Sequence, residues 1–156
     1  MTDLDTIIRN ARVVTPGGMA PLDVALSGGR IVALLPRGEG EARETIDASG
    51  QHVLPGVIDI HFHIRAPAFP ERGTVASETQ AAAAGGVTAL FEMPISKPCC
   101  NSPERVAIRR AHFAENAVIG FGLYGAPADA SPEGIAALKD AGVIALKIFT
   151  TAAPAG

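Results

Sequence analysis

The chain has no tryptophan, one tyrosine and only two cysteines, and nowhere does it reach the roughly 18 consecutive apolar residues that a membrane-spanning helix requires. The cysteines, Cys99 and Cys100, are adjacent, which makes a bond between them strained and excludes a disulfide framework. Their spacing is not that of a CxxC pair for redox or zinc chemistry either. Two thiols in a loop, in a reducing compartment, are expected. Basic charge is sparse: 13 Lys and Arg against 16 Asp and Glu give a net charge of −3, with no block that could grip nucleic acid or a membrane surface. The opening MTDLDTIIRN carries two Asp and no long apolar run, unlike a signal peptide. These absences predict a soluble, cytoplasmic protein with neither a nucleic-acid nor a membrane partner.

What is present is apolar mass. Hydrophobic residues make up 47% of 156 positions, enough to bury a core on the scale of about one domain. Seventeen Gly and twelve Pro, spread along the chain, predict many short elements joined by turns. Residues 4 to 50 hold short β-like runs, at Thr6–Ile8, Ala11–Val14, Val24–Leu26 and Arg30–Leu34, and read as an antiparallel meander. Gly28-Gly29 between two of them is a hairpin signal, because two-residue turns need positive φ.

From about residue 53 the pattern changes. Val53–Ile60, Val87–Phe91, Val118–Leu123 and Val143–Phe149 are nearly continuous apolar runs, as parallel strands covered on both faces must be. Between them lie helix-like stretches. Thr74–Ala84 stops at Gly85-Gly86, while Ser102-Pro103-Glu104 and Ser131-Pro132-Glu133 place a cap residue ahead of proline. The alternation predicts an α/β fold of about four βα units with right-handed crossovers. The expected division is 1–52 for the N-terminal strands and 53–156 for the α/β part. Periodicity alone leaves open whether those units form an open doubly wound sheet or part of a (β/α)8 barrel, which takes about 250 residues when complete.

His61-Phe62-His63 follows the first apolar run. In an extended backbone residues i and i+2 share a side, so one metal ion could take both imidazoles. Asp59 lies on the same side and could orient or ligate. The plainer alternative is two histidines bonded to solvent and backbone. Lys147 stands inside the last apolar run, where an ammonium is costly without a partner. Either its stem packs on apolar neighbours and its head reaches the rim, or burial favours the neutral amine for chemistry. Gly85-Gly86 follows a helix and precedes a strand, the wrong order for a phosphate loop.

Leu54–His63, Ala81–Thr88, Glu92-Met93-Pro94 and Gly142–Lys147, in that order, resemble the cyclic amidohydrolases, the group of allantoinases, dihydroorotases and hydantoinases. The resemblance implies the first half of a TIM barrel, preceded by strands of a small β-sandwich domain. It implies that His61 and His63 ligate the more buried of two divalent metal ions, commonly zinc, and that Lys147 is carboxylated and bridges both. The implied reaction is metal-assisted hydrolysis of a cyclic amide or ureide. Two further histidines and a catalytic aspartate would come from later strands, and no residue here fills those places: His52 precedes the first parallel strand and His112 sits in a helix, so both read as structural. The chain is then expected to be a piece of a longer, homo-oligomeric enzyme, inactive and prone to associate when alone.

Arg65 could grip a substrate carboxylate bidentately and matches the dihydroorotases, but Ile95 departs from their pattern. Glu92-Met93-Pro94 is closer to allantoinases, which carry Asn or Ser in place of Arg65. A surface ion pair is the plainer role for that arginine. Two other readings stay open: a non-catalytic scaffold of the same fold, and an open α/β binding domain with incidental histidines.

Overall fold

In a computed structural model, which describes residues 3–128 and 131–150, Gly28 and Gly29 take φ of 57° and 73°, the conformation a tight hairpin turn requires. The chain divides into two compact units, one ending at Pro55 and one beginning at Gly56. The first contains β1 (Leu4–Arg9), β2 (Arg12–Thr15), β3 (Gly18–Ala20), β4 (Leu22–Ser27), β5 (Arg30–Pro36), β6 (Ala42–Asp47) and β7 (His52–Val53). They form one sheet of order β5-β4-β1-β6 and another of order β3-β2-β7. Ala11, Val13, Val24 and Ala48 make the buried centre of this unit.

The meander expected here is not what forms. The β4–β5 hairpin is antiparallel, but β1 pairs with the distant β6 in parallel, and β2 leaves for a separate sheet where it pairs with β7, also in parallel. Period-two patterning specifies which face of a strand is buried and is silent on which neighbour it bonds.

The second unit runs β8 (Val57–Phe62), α1 (Val75–Ala84), β9 (Val87–Glu92), α2 (Pro103–Asn116), β10 (Gly120–Gly125), α3 (Pro132–Asp140) and β11 (Ala145–Leu146). Helices α2 and α3 start where their serine caps predict, and Thr74 caps α1: the hydroxyls of Thr74, Ser102 and Ser131 accept from the N–H groups of Ser77, Arg105 and Gly134. All strand pairs are parallel, in the order β11-β10-β9-β8. Every strand therefore adds beside its predecessor, with no reversal of direction among the described strands. Leu90 and Leu123 from the sheet meet Val75, Val106, Phe113 and Leu138 from the helices in a buried core. Gly56 enters β8 against Thr88, where a Cβ would lie 2.2 Å from the threonine side chain.

Two expectations need correction. The first apolar run is not a strand covered on both faces: Val57, Ile58 and Ile60 are 55%, 57% and 61% exposed. The helices cover one face of the sheet and β8 is an outer strand, so apolar sequence there does not secure burial. The last run is also shorter as a strand than its composition suggests, being only Ala145–Leu146, which leaves Lys147 just past the strand end.

Candidate metal site at the strand ends

The register between β8 and β9 slips between Asp59 and Phe62, a bulge of the kind that re-aims side chains beside functional sites. His61 lies in that bulge. Its backbone N–H donates to Asp59 Oδ1 at 3.0 Å, so one oxygen of Asp59 is engaged by the chain itself. The rings of His61 and His63 have centroids 5.3 Å apart and planes inclined by 49°, so the i, i+2 pair does converge. His61 is exposed and His63 half-buried. The Nδ1 atom of His63 is buried without a hydrogen-bond partner.

Burial, and then the positive charges of Arg65, His61 and Lys147, push the His63 pKa below its ordinary value. The neutral imidazole is the form a metal ligand needs. Arg65 and Lys147 stand just past the C-terminal ends of β8 and β11, and their charges act on His63. Lys147 donates its backbone N–H to the Gly125 carbonyl at 2.7 Å, and its Nζ sits 5.3 Å from the centroid of Phe149, a cation–π contact. Arg65 is half-buried. Two imidazoles in contact, one with an orphaned buried nitrogen, fit part of the coordination sphere of a cation such as zinc. Among the described residues no cluster of three His, Cys, Asp or Glu side chains completes it. His52 is exposed in β7, and His112 on α2 keeps a buried Nε2 without a partner.

Sequence reasoning missed the residues behind the ligands. Glu92, 1% exposed, accepts the N–H of Ile64 on Oε2 at 2.8 Å and has Ser96 Oγ 3.1 Å from Oε1. Burial raises its pKa to about 7, against the lowering effects of the Ile64 N–H, Arg109, Ser96 and Arg65. Arg109, 2% exposed, donates to the carbonyls of Ala66 at 2.6 Å, Ser96 at 2.7 Å and Pro98 at 3.3 Å. A signal existed: Arg109 falls on the buried stripe of α2 with Val106 and Phe113, a helical spacing at which a cation demands partners. Cys99 is half-buried and Cys100 buried, both free, and burial pushes both thiols up in pKa, which disfavours reactive thiolates.

The Dihydro-orotase-like family model matches residues 50–150. An allantoinase of Desulfitobacterium hafniense is 35% identical over 150 residues, covering 96% of this chain and 33% of its own length. An L-hydantoinase of Paenarthrobacter aurescens is 30% identical, covering 97% and 34%. Among solved structures, the L-hydantoinase (dihydropyrimidinase) from Arthrobacter aurescens superposes with a TM-score of 0.81 at 30% identity, over 92% of this chain and 32% of that one. The chain thus spans about a third of the length of the relatives it matches. With the family model matching residues 50–150 and relatives 30–35% identical along nearly the whole chain, this chain belongs to the dihydro-orotase-like family of cyclic amidohydrolases.

Proposed function

We propose that this chain carries the opening portion of a two-metal site for hydrolysis of a cyclic amide or ureide, within a longer protein of the kind its relatives are. The observation that carries the reading is the contact of the His61 and His63 rings, with His63 half-buried and its Nδ1 unpartnered, while the charges of Arg65 and Lys147 act on the same imidazole. In this reading His61 and His63 each present a nitrogen lone pair to one cation. Lys147 adds carbon dioxide through the lone pair of its neutral amine, forming an N–C bond and releasing a proton. The resulting carbamate supplies anionic oxygens where an ammonium has no carboxylate partner among the described residues. Arg65, two residues beyond His63, would take a carboxylate of the substrate. When bound, two divalent cations, zinc by the family's usage, would supply a water of lowered pKa and polarise the amide carbonyl.

The sequential parallel order supports the first half of a (β/α)8 barrel over a doubly wound sheet, which reverses its order at a switch point. The Tyr124 hydroxyl of β10 also donates to the Ile60 carbonyl of β8 at 3.0 Å, across the intervening β9. The two sheets of the first unit are then strands of the accompanying β-sandwich, and the longer protein is a homo-oligomer. The test is metal analysis of the purified chain after zinc loading and desalting, beside His61→Ala. Bound zinc that falls to background in the variant is expected; equal zinc in both would refute the ligand assignment. Intact-mass analysis in bicarbonate, with Lys147→Met as control, reads the carbamate.

A further inference from the structure

Ile64 stands one residue beyond His63 and is fully buried, yet neither of its backbone polar groups is bonded within the sheet. Glu92 Oε2 accepts its N–H at 2.8 Å, and its carbonyl accepts the Ser96 hydroxyl at 2.6 Å. On one side of this residue the Phe62 carbonyl accepts the N–H of Met93 at 2.8 Å. On the other the Ala66 carbonyl accepts Arg109 at 2.6 Å, and Arg109 also holds the Ser96 carbonyl at 2.7 Å. Residues 62, 64 and 66 are thus gripped by groups from residues 92 to 109, while the imidazole between them keeps an unpartnered nitrogen.

We propose that Glu92 is a positioning residue for the His61–His63 pair, acting with Ser96 and Arg109 through the backbone of Ile64 and Ala66. The inference rests on the metal reading above and adds the means by which the ligands are held. Hydrogen counting specifies the form in which Glu92 acts. The Ser96 hydroxyl has one proton and two acceptors in reach, the Ile64 carbonyl at 2.6 Å and Glu92 Oε1 at 3.1 Å. The shorter bond takes the proton, so the longer contact is satisfied when Glu92 is the neutral acid and donates to Ser96 Oγ. The charged and titratable neighbours are Arg109, Arg65 and the Cys100 thiol. Arg109 spends its donors on three carbonyls and makes no ion pair with Glu92 among the described residues. Partners of this kind, which orient a ligand without touching the metal, are worth about 10- to 100-fold in metal affinity in known sites.

The experiment compares the full 156-residue chain with Glu92→Gln, Glu92→Ala and Ser96→Ala. Far-UV circular dichroism and thermal melts establish folding. Zinc affinity is read by calorimetry, and the Ile64 amide exchange rate and His63 ring resonances by metal-free NMR. Glu92→Gln offers an amide oxygen to Ile64 and an NH2 to Ser96, so zinc affinity within about threefold of wild type is expected. Folded Glu92→Ala should lose about 10- to 100-fold in zinc affinity, with faster Ile64 exchange and altered His63 resonances. Unchanged zinc affinity in folded Glu92→Ala and Ser96→Ala overturns the proposal, and a Glu92→Gln as weak as Glu92→Ala overturns the neutral-acid assignment. Should wild type bind no zinc, the metal reading fails by itself. The positioning claim is then decided by the His63 resonances: perturbation in the variants upholds it and identity with wild type overturns it. If Glu92→Ala does not fold, Ser96→Ala, which removes one hydroxyl, carries the same comparison.

Discussion

Arg109 Nη1 donates to the Ala66 carbonyl at 2.6 Å from a position only 2% exposed, tying helix α2 to the segment that carries the histidine pair. Lysine has one donor centre where this guanidinium serves three carbonyls. Arg109→Lys should therefore lower stability by about 2 kcal/mol, and Arg109→Met by about 3 kcal/mol, since Met leaves buried carbonyls unsatisfied. Urea denaturation of the chain measures both, and an unchanged midpoint in Arg109→Met would contradict the network.

Stability should also follow the titration of Glu92. Its pKa is about 7 in the fold against an ordinary 4.5, so between those values the folded chain holds a proton that the unfolded chain has released. The contribution is complete below pH 4.5 and is lost as pH rises through about 7, amounting to roughly 3 kcal/mol. His63 works in the opposite sense. Its pKa is depressed from 6.5, so protonation favours the unfolded chain and stability falls as pH drops below 6.5. Urea midpoints across this range for wild type, Glu92→Gln and His63→Ala separate the two, with the loss on raising pH absent from Glu92→Gln.

Gly56 has no room for a side chain beside Thr88. Gly56→Ala should cost about 1–3 kcal/mol through overpacking. Faster amide exchange in β8 and β9 than in α3 would localise the damage to that strand pair. Uniform acceleration across the unit would argue for a global effect.

Tyr124→Phe removes only the hydroxyl that reaches the Ile60 carbonyl. A loss of about 0.5–1.5 kcal/mol is expected. If the melting temperature does not move, this bond contributes nothing to holding β10 and β8 together.

Ile58 and Ile60 leave more than half of their surface open on β8, whose outer edge is unpaired among the described residues. Exposed apolar strands with a free edge associate. Sedimentation velocity should find the chain oligomeric or aggregating, and Ile58→Thr with Ile60→Thr should shift it toward monomer. Unaltered sedimentation in the double variant would move the sticky surface elsewhere.

The local grammar was readable without coordinates. Serine before proline marked the starts of α2 and α3, and Gly28-Gly29 marked a turn, because caps and positive φ depend on a few neighbouring residues. The convergence of His61 and His63 followed from spacing alone, since i and i+2 share a side in extended chain. The parallel pairing of β1 with β6, the exposure of β8 and the brevity of β11 did not follow. Each depends on which distant segment arrives alongside, and composition does not encode that.

By itself, then, the sequence determined the alternation of strand and helix in the second unit, the helix starts at Ser102 and Ser131, and which side chains could act as ligands: these are consequences of short-range sterics and hydrogen bonding. Tertiary structure alone decided that Lys147, 84 positions beyond His63 in sequence, shares its electrostatic field, and that Glu92, Ser96 and Arg109 grip the backbone around that histidine. Those relations arise because parallel strands bring their C-terminal ends to one edge, where burial leaves each polar group only the partners the fold supplies.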